Sequence, residues 1–159
     1  MLVYPVESSG EVIVLVDSVV EHVTKFTHHD LQAKEAGGQL FAELEENRIV
    51  VAEATGPRAT DFCGRNSYRP DRSAERKEIK SYHRRGLHFV GDWHTHPEPV
   101  PTPSDTDVTS INECYSRSIH SLGAFVLLIV GTEDPPLGFW LSLHNETVGL
   151  RLSSSCSIE

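Results

Sequence analysis

The sequence predicts an α+β or α/β sandwich in which a mixed β-sheet is flanked by helices. Three observations point to it. β-rich runs and helical runs intermix along the 159 residues without a repeated β-α-β unit. Gln39–Leu44 and Arg48–Glu53 flank the turn Glu45-Glu46-Asn47 and read as a hairpin. Ala124–Val130 is apolar throughout, as a strand covered on both faces is. The length suits one domain over residues 1–159 with a core of its own.

Taken in order, Glu11–Val16 is a β-rich run, and Asp17 or Ser18 can cap the helix that follows. In that helix Val19, Val20, Val23 and Phe26 fall at helical spacing. His28-His29-Asp30 reads as its solvated end. Gly37-Gly38 opens the first strand of the hairpin. Residues 55–71, rich in Gly, Pro, Arg and Asp, read as a loop. Ser73–Arg85 is helical with Ser73 as cap, and Leu87–Trp93 is a strand in which Trp93 is a packing residue. A loop with prolines at 97, 99, 101 and 103 leads to a helix over Asp105–Ser118. Ser104 and Asp107 form its capping box. After the central strand Ala124–Val130 come strands Leu137–Leu143 and Thr147–Leu152, then a tail expected to fray over 153–159.

The net charge of −9 argues against generic nucleic-acid binding. Residues 58–86 nevertheless hold nine of the fourteen Lys and Arg residues against four acids, a local +5. This is either a solvated helix of mixed charge or a basic wall that docks a protein partner. No apolar run approaches the roughly 18–20 residues needed to cross a bilayer. Met1–Glu7 lacks the basic and apolar regions of a signal peptide. Cys63, Cys114 and Cys156 are odd in number and form no C-x-x-C pair, so a reducing cytoplasm is the expected location.

The chemistry is concentrated in Gly91-Asp92-Trp93-His94-Thr95-His96-Pro97 and in Ser104–Asp107. The pattern is H-x-H-P, six residues, then S-x-x-D. In an extended segment side chains at i and i+2 share a face, so His94 and His96 converge on one point. Asp107 returns from the next segment as a third ligand. Three protein ligands leave a fourth tetrahedral position for water, the arrangement of a catalytic zinc. The helix N-terminus favours an anionic ligand there.

These residues, with an upstream glutamate, resemble the JAB/MPN domain carrying the JAMM metalloprotease signature. The matching positions are Glu35, His94, His96, Pro97, Ser104 and Asp107, without a departure in spacing, and the resemblance spans roughly residues 10–152. Glu35 is preferred to Glu43, Glu45 and Glu46 because the family places its glutamate just before a Gly-containing strand. The resemblance implies a cytidine-deaminase-type fold, with Zn²⁺ held by His94, His96 and Asp107. It implies Glu35 as general base toward the attacking water and Ser104 as a donor to the oxyanion. It points to isopeptide or peptide bonds after the C-terminal tail of a ubiquitin-like or similarly conjugated protein, and to residues 55–71 as a substrate-binding insertion. Residues 91–98 are close to a bacterial branch, some members of which occur in anti-phage systems. There they release a cGAS-like nucleotidyltransferase from proteins to which an E1–E2-like partner has joined it. A catalytically silent scaffold, and a hydrolase of small molecules or sulfur-carrier conjugates, are the other readings. The intact ligand set argues against the scaffold.

Overall fold

The computed structural model describes residues 1–27, 34–65 and 67–155. His28, His29, Asp30 and Cys156 lie outside the described residues. Ten strands and three helices follow in the order β1 (Leu2–Val6), β2 (Glu11–Leu15), α1 (Asp17–Thr24), β3 (Gly37–Glu45), β4 (Arg48–Ala54), β5 (Phe62–Cys63), β6 (Tyr68–Arg69), α2 (Arg72–Arg84), β7 (His88–Thr95), α3 (Asp105–Arg117), β8 (Phe125–Val130), β9 (Phe139–His144) and β10 (Gly149–Leu152). Eight strands form one sheet in the order β1-β2-β4-β3-β7-β8-β9-β10, while β5 and β6 make a small ribbon. The β2–β4 and β7–β8 pairs are parallel and the other pairs antiparallel. The mixed sheet and its flanking helices are the architecture the sequence predicts.

Side-chain alternation along β8 explains why every residue of that strand is apolar. Val126, Leu128 and Val130 join Val19 and Val23 of α1, Leu40, Val51 and Trp93 in one core cluster. Phe125, Leu127 and Ile129 face Ile111 of α3 in a second. Thus α1 covers one face of the sheet, and α2 and α3 cover the other, where Tyr82 of α2 stacks on Phe41 of β3 at 4.2 Å. Trp93 is completely buried, and its indole N–H donates to the Thr55 carbonyl at 2.8 Å.

A bulge sets the phase of β7. Leu40 pairs with Gly91 but Phe41 pairs with Phe89, so Val90 has no opposite residue. Val90 and Trp93 therefore both enter the α1-side core. Phe89 and Asp92 point to the opposite face, and the unbroken alternation beyond Asp92 sends His94 there too. Gly91 lies against β8 so closely that a Cβ would stand 1.8 Å from the Val126 carbonyl oxygen.

Three local expectations change. Neither Asp17 nor Ser18 caps α1; the helix starts one residue earlier, with Val16 at the N-cap position and no side-chain cap. Asp17 lies in the first turn, where its charge suits the helix dipole and where the Met1 amine meets it. Ser73 lies inside α2 because Asp71 caps that helix, its carboxylate accepting from the Ser73 and Ala74 N–H groups at 2.9 and 3.1 Å. Residues 55–71 are a tied structure rather than a plain loop. Asp61 accepts from the Arg58 and Asp71 N–H groups and from the Tyr68 hydroxyl at 2.8–2.9 Å, and Arg58 is ion-paired with Glu78 of α2. Two smaller findings complete the comparison. Leu2–Val6 is an unforeseen edge strand. The tail expected to fray from Ser153 is held at Ser155, whose N–H donates to the Val3 carbonyl at 2.8 Å. No helix of the described residues is long and apolar enough to cross a membrane.

Candidate active site

The site is assembled from the end of β7, the start of α3 and the entry to β3. His94 is paired on both sides, with Gly37 of β3 and Ile129 of β8, so its backbone is rigid. His96 continues the strand direction, its N–H donating to the Val130 carbonyl at 2.9 Å. Asp107 is the third helical residue of α3. The capping box fixes its orientation: the Ser104 hydroxyl accepts from the Asp107 N–H at 3.1 Å, and Asp107 Oδ2 accepts from the Ser104 N–H at 2.8 Å.

These constraints bring the polar ends of three side chains together. The imidazole Nε2 atoms of His94 and His96 are 3.1 Å apart. Asp107 Oδ1 lies 3.2 Å from His94 Nε2 and Oδ2 lies 3.3 Å from His96 Nε2. Among the described residues this is the one group of three His, Cys, Asp or Glu side chains so placed. A tetrahedral zinc with bonds of 2.0–2.2 Å requires ligand atoms about 3.3 Å apart. The residues present therefore fit a zinc ion, and the two nitrogens with one carboxylate are the donor set such an ion prefers.

Burial works against the Asp107 charge, but the hydrogen bonds and charges of His94 and His96, with the Ser104 N–H, outweigh it and hold the carboxyl far below its usual range. Burial likewise disfavours a charged His96, yet its bond to Asp107 and the charges of Asp107, Glu35 and Glu98 raise its pKa overall. The cluster thus sets an ionised carboxylate against two imidazoles, a donor set that could hold a cation.

Glu35 enters β3 half-buried beside this group. Burial raises its carboxyl pKa; the imidazoles of His96 and His94 oppose the rise, and Asp107 and Glu98 add to it. The glycines after it have a steric cause. A Cβ on Gly38 would stand 1.7 Å from the Thr55 carbonyl oxygen, and one on Gly37 would stand 2.5 Å from that of Trp93. Only glycines let this strand lie flush between Thr55 and β7. The alternatives Glu43, Glu45 and Glu46 are exposed at the far end of β3 and in its turn.

Ser104 has two capacities. Its oxygen spends an acceptor lone pair on the cap, leaving the hydroxyl proton available to a substrate oxygen. Ser104→Ala will therefore lower stability by about 1 kcal/mol through the lost cap and activity by roughly 10²-fold or more through the lost donor. Ser104→Thr will retain both. Denaturant melts and initial rates check this, and an alanine variant with undiminished rate would confine Ser104 to the cap.

Asp92, two residues before His94, forms part of the floor of a cavity of about 790 Å³ between α2 and α3, where Arg72, Glu75, Phe89, Cys114 and Phe125 also lie. Its Oδ1 is inaccessible and has no hydrogen-bond partner among the described residues. Burial, reinforced by Glu75 and opposed by Arg72 and Arg58, pushes its carboxyl up to about 7. The folded chain thus keeps a proton that the unfolded chain releases near its ordinary pKa of about 3.9. Stability falls as pH rises from about 4 to 7, because the native state binds more protons over that range. Asp92→Asn will remove this slope. In the presence of a chelator the variant will exceed the wild type at pH 8 by at most about 4 kcal/mol, and the gap will close toward pH 4. Urea melts at both pH values test it; equal stabilities at pH 8 would show that burial of this carboxylate costs nothing.

Sequence reasoning missed the contacts that hold the Glu35 segment. The Glu35 N–H donates to the Gly64 carbonyl at 2.7 Å, and Thr95 pairs with Ala36. Nothing in the spacing of residues signals either. The basic segment divides: Arg58 is enclosed by partners, whereas Arg76, Lys77, Lys80 and Arg84 are exposed on α2. Cys63, in β5, does not join the metal group, and burial raises its thiol pKa, reinforced by Asp61 and opposed by Lys34.

With the site in view, comparisons with known proteins place the chain. Residues 16–142 match the family described as prokaryotic homologs of the JAB domain. The chain belongs to this family. This JAB-domain chain is 32% identical over 140 residues to a protein of Vibrio cholerae serotype O1 named CD-NTase/cGAS isopeptidase, covering 85% of this chain and 83% of that protein. It is 25% identical over 129 residues to one of the same name from Escherichia coli, covering 79% and 80%. A similar fold is seen in the solution structure of protein DSY2949 from Desulfitobacterium hafniense. That structure matches with a TM-score of 0.64 at 17% identity, over 87% of this chain and 88% of that one.

Proposed function

We propose that this protein is a cytoplasmic zinc metalloprotease of the JAMM type that hydrolyses the isopeptide or peptide bond following the C-terminal tail of a conjugated protein. A conjugated cGAS-like nucleotidyltransferase is the substrate class that the relatives' names support, and an E1–E2-like protein is the partner we assign to the joining step. The observation that carries the reading is the meeting of the His94 and His96 Nε2 atoms, 3.1 Å apart, each with a different Asp107 carboxylate oxygen at 3.2–3.3 Å, and Glu35 beside them.

Zinc, when bound, supplies Lewis acidity, lowering the pKa of a water and polarising the scissile carbonyl. The chain's own residues do the rest. Glu35, its carboxyl pKa raised by burial, takes the proton of the attacking water and delivers it to the departing amine. Ser104 donates to the oxyanion of the tetrahedral intermediate. The rigid β7 backbone and the capped α3 keep these groups at fixed spacing, so little reorganisation is needed during reaction. An extended tail can lie as an added strand near the β5–β6 ribbon that abuts Glu35.

The test uses the full chain with zinc and a reporter fused behind the C-terminal tail of a cGAS-like nucleotidyltransferase. Mass spectrometry is expected to show cleavage immediately after the last residue of the tail. Cleavage of a sulfur-carrier fusion in its place would redirect the substrate assignment, and no cleavage of either would end the protease reading.

A further inference from the structure

Thr95 stands between the two histidines, where strand alternation sends its side chain to the face opposite theirs. It is buried, and its Oγ1 accepts the Ala36 N–H at 3.0 Å. Its own N–H donates to the Ala36 carbonyl at 2.8 Å. One residue of the metal-bearing strand therefore holds both backbone groups of the residue after Glu35.

This arrangement restrains Glu35 itself. A residue has two soft backbone dihedrals, set by the peptide planes on either side of it. The plane before Glu35 is held through its N–H by Gly64, at 2.7 Å. The plane after Glu35 carries the Ala36 N–H, and Thr95 Oγ1 holds that one. With both planes anchored, the direction of the Glu35 Cα–Cβ bond is settled, and it is referenced to the strand that also carries His94 and His96.

We propose that Thr95 is a positioning residue for the general base, its hydroxyl oxygen setting the distance between Glu35 and the His94–His96–Asp107 group. The inference rests on the reading of Glu35 as that base. Valine matches threonine in shape but offers no acceptor, so Thr95→Val leaves the Ala36 N–H unanswered and frees the plane behind Glu35. A misplacement on the order of 1 Å costs about 10²-fold in rate.

The experiment measures zinc content, kcat and KM on the tail–reporter fusion for Thr95→Val, Thr95→Ser, Glu35→Gln and the Thr95→Val, Glu35→Gln double variant. Thr95→Val is expected to keep one zinc per chain and a KM within about twofold while kcat falls about 10–10²-fold. Thr95→Ser, which restores the acceptor, is expected to recover most of kcat. In the Glu35→Gln background the valine is expected to add no further loss, since it acts through the group already removed. Wild-type kcat in Thr95→Val, loss of its zinc, or failure of serine to rescue would each overturn the proposal. If Thr95→Val does not fold by circular dichroism, Thr95→Ala replaces it; loss of fold in both would make the threonine structural and overturn the proposal as well. Full activity of Glu35→Gln would instead remove the base assignment itself, a failure distinguishable from that of Thr95.

Discussion

Glu35→Gln will lower kcat by about 10²–10⁴-fold while leaving the fold and the zinc in place. Glutamine is nearly isosteric, and the bond from the residue 35 N–H to Gly64 belongs to the backbone, so the segment keeps its position. His94, His96 and Asp107 are untouched. What disappears is the capacity to take a proton from water at neutral pH. General-base catalysis of this kind contributes typically 10²–10⁴-fold, and a loss of that size in kcat, with unchanged zinc by elemental analysis, is the expected result. A fully active glutamine variant would shift attention to Glu98, the other carboxylate acting on both Glu35 and His96.

His94→Ala will lose both metal and activity. A zinc ion held by three protein groups cannot keep its affinity with one removed, and the buried His94 position cannot be refilled from a mobile side chain. Wild-type protein will contain about one zinc per chain, and a chelator will lower its melting temperature. With free zinc at about a thousand times its Kd the stabilisation is about 4 kcal/mol. The alanine variant will contain no stoichiometric zinc and will melt identically with and without chelator. Acid has a related effect. Protonated His96 is favoured by Asp107 and Glu35, so protons compete for the site and zinc occupancy will fall as pH drops below neutrality. Unchanged zinc in His94→Ala would exclude it as a ligand.

The convergence of His94, His96 and Asp107 was legible in the sequence because two short-range rules produce it. Strand alternation aligns the imidazoles, and a capping box orients the aspartate. The central strand at Ala124–Val130 was legible for a similar reason, since burial on both faces demands an unbroken apolar run. What the sequence left hidden depends on partners far along the chain. Asp71 displaces Ser73 as the cap of α2 because Asp61 holds the Asp71 backbone. The 55–71 segment reads as loose from its composition, yet the partly buried Asp61 and Arg58 tie it together. The Val90 bulge breaks the alternation that would otherwise have placed Phe89 and Trp93 on one face. The Thr95–Ala36 and Gly64–Glu35 bonds join positions that share no local pattern.

The bridge between Val3 and Ser155 has a bearing on how this molecule meets other chains. The outermost strand β1 is met there by backbone that follows the opposite outermost strand, β10. A long open sheet ordinarily presents two adhesive margins, liable to stick to any extended polypeptide. Here one backbone bridge ties the segment after β10 to β1, which shortens the margin left open to indiscriminate pairing.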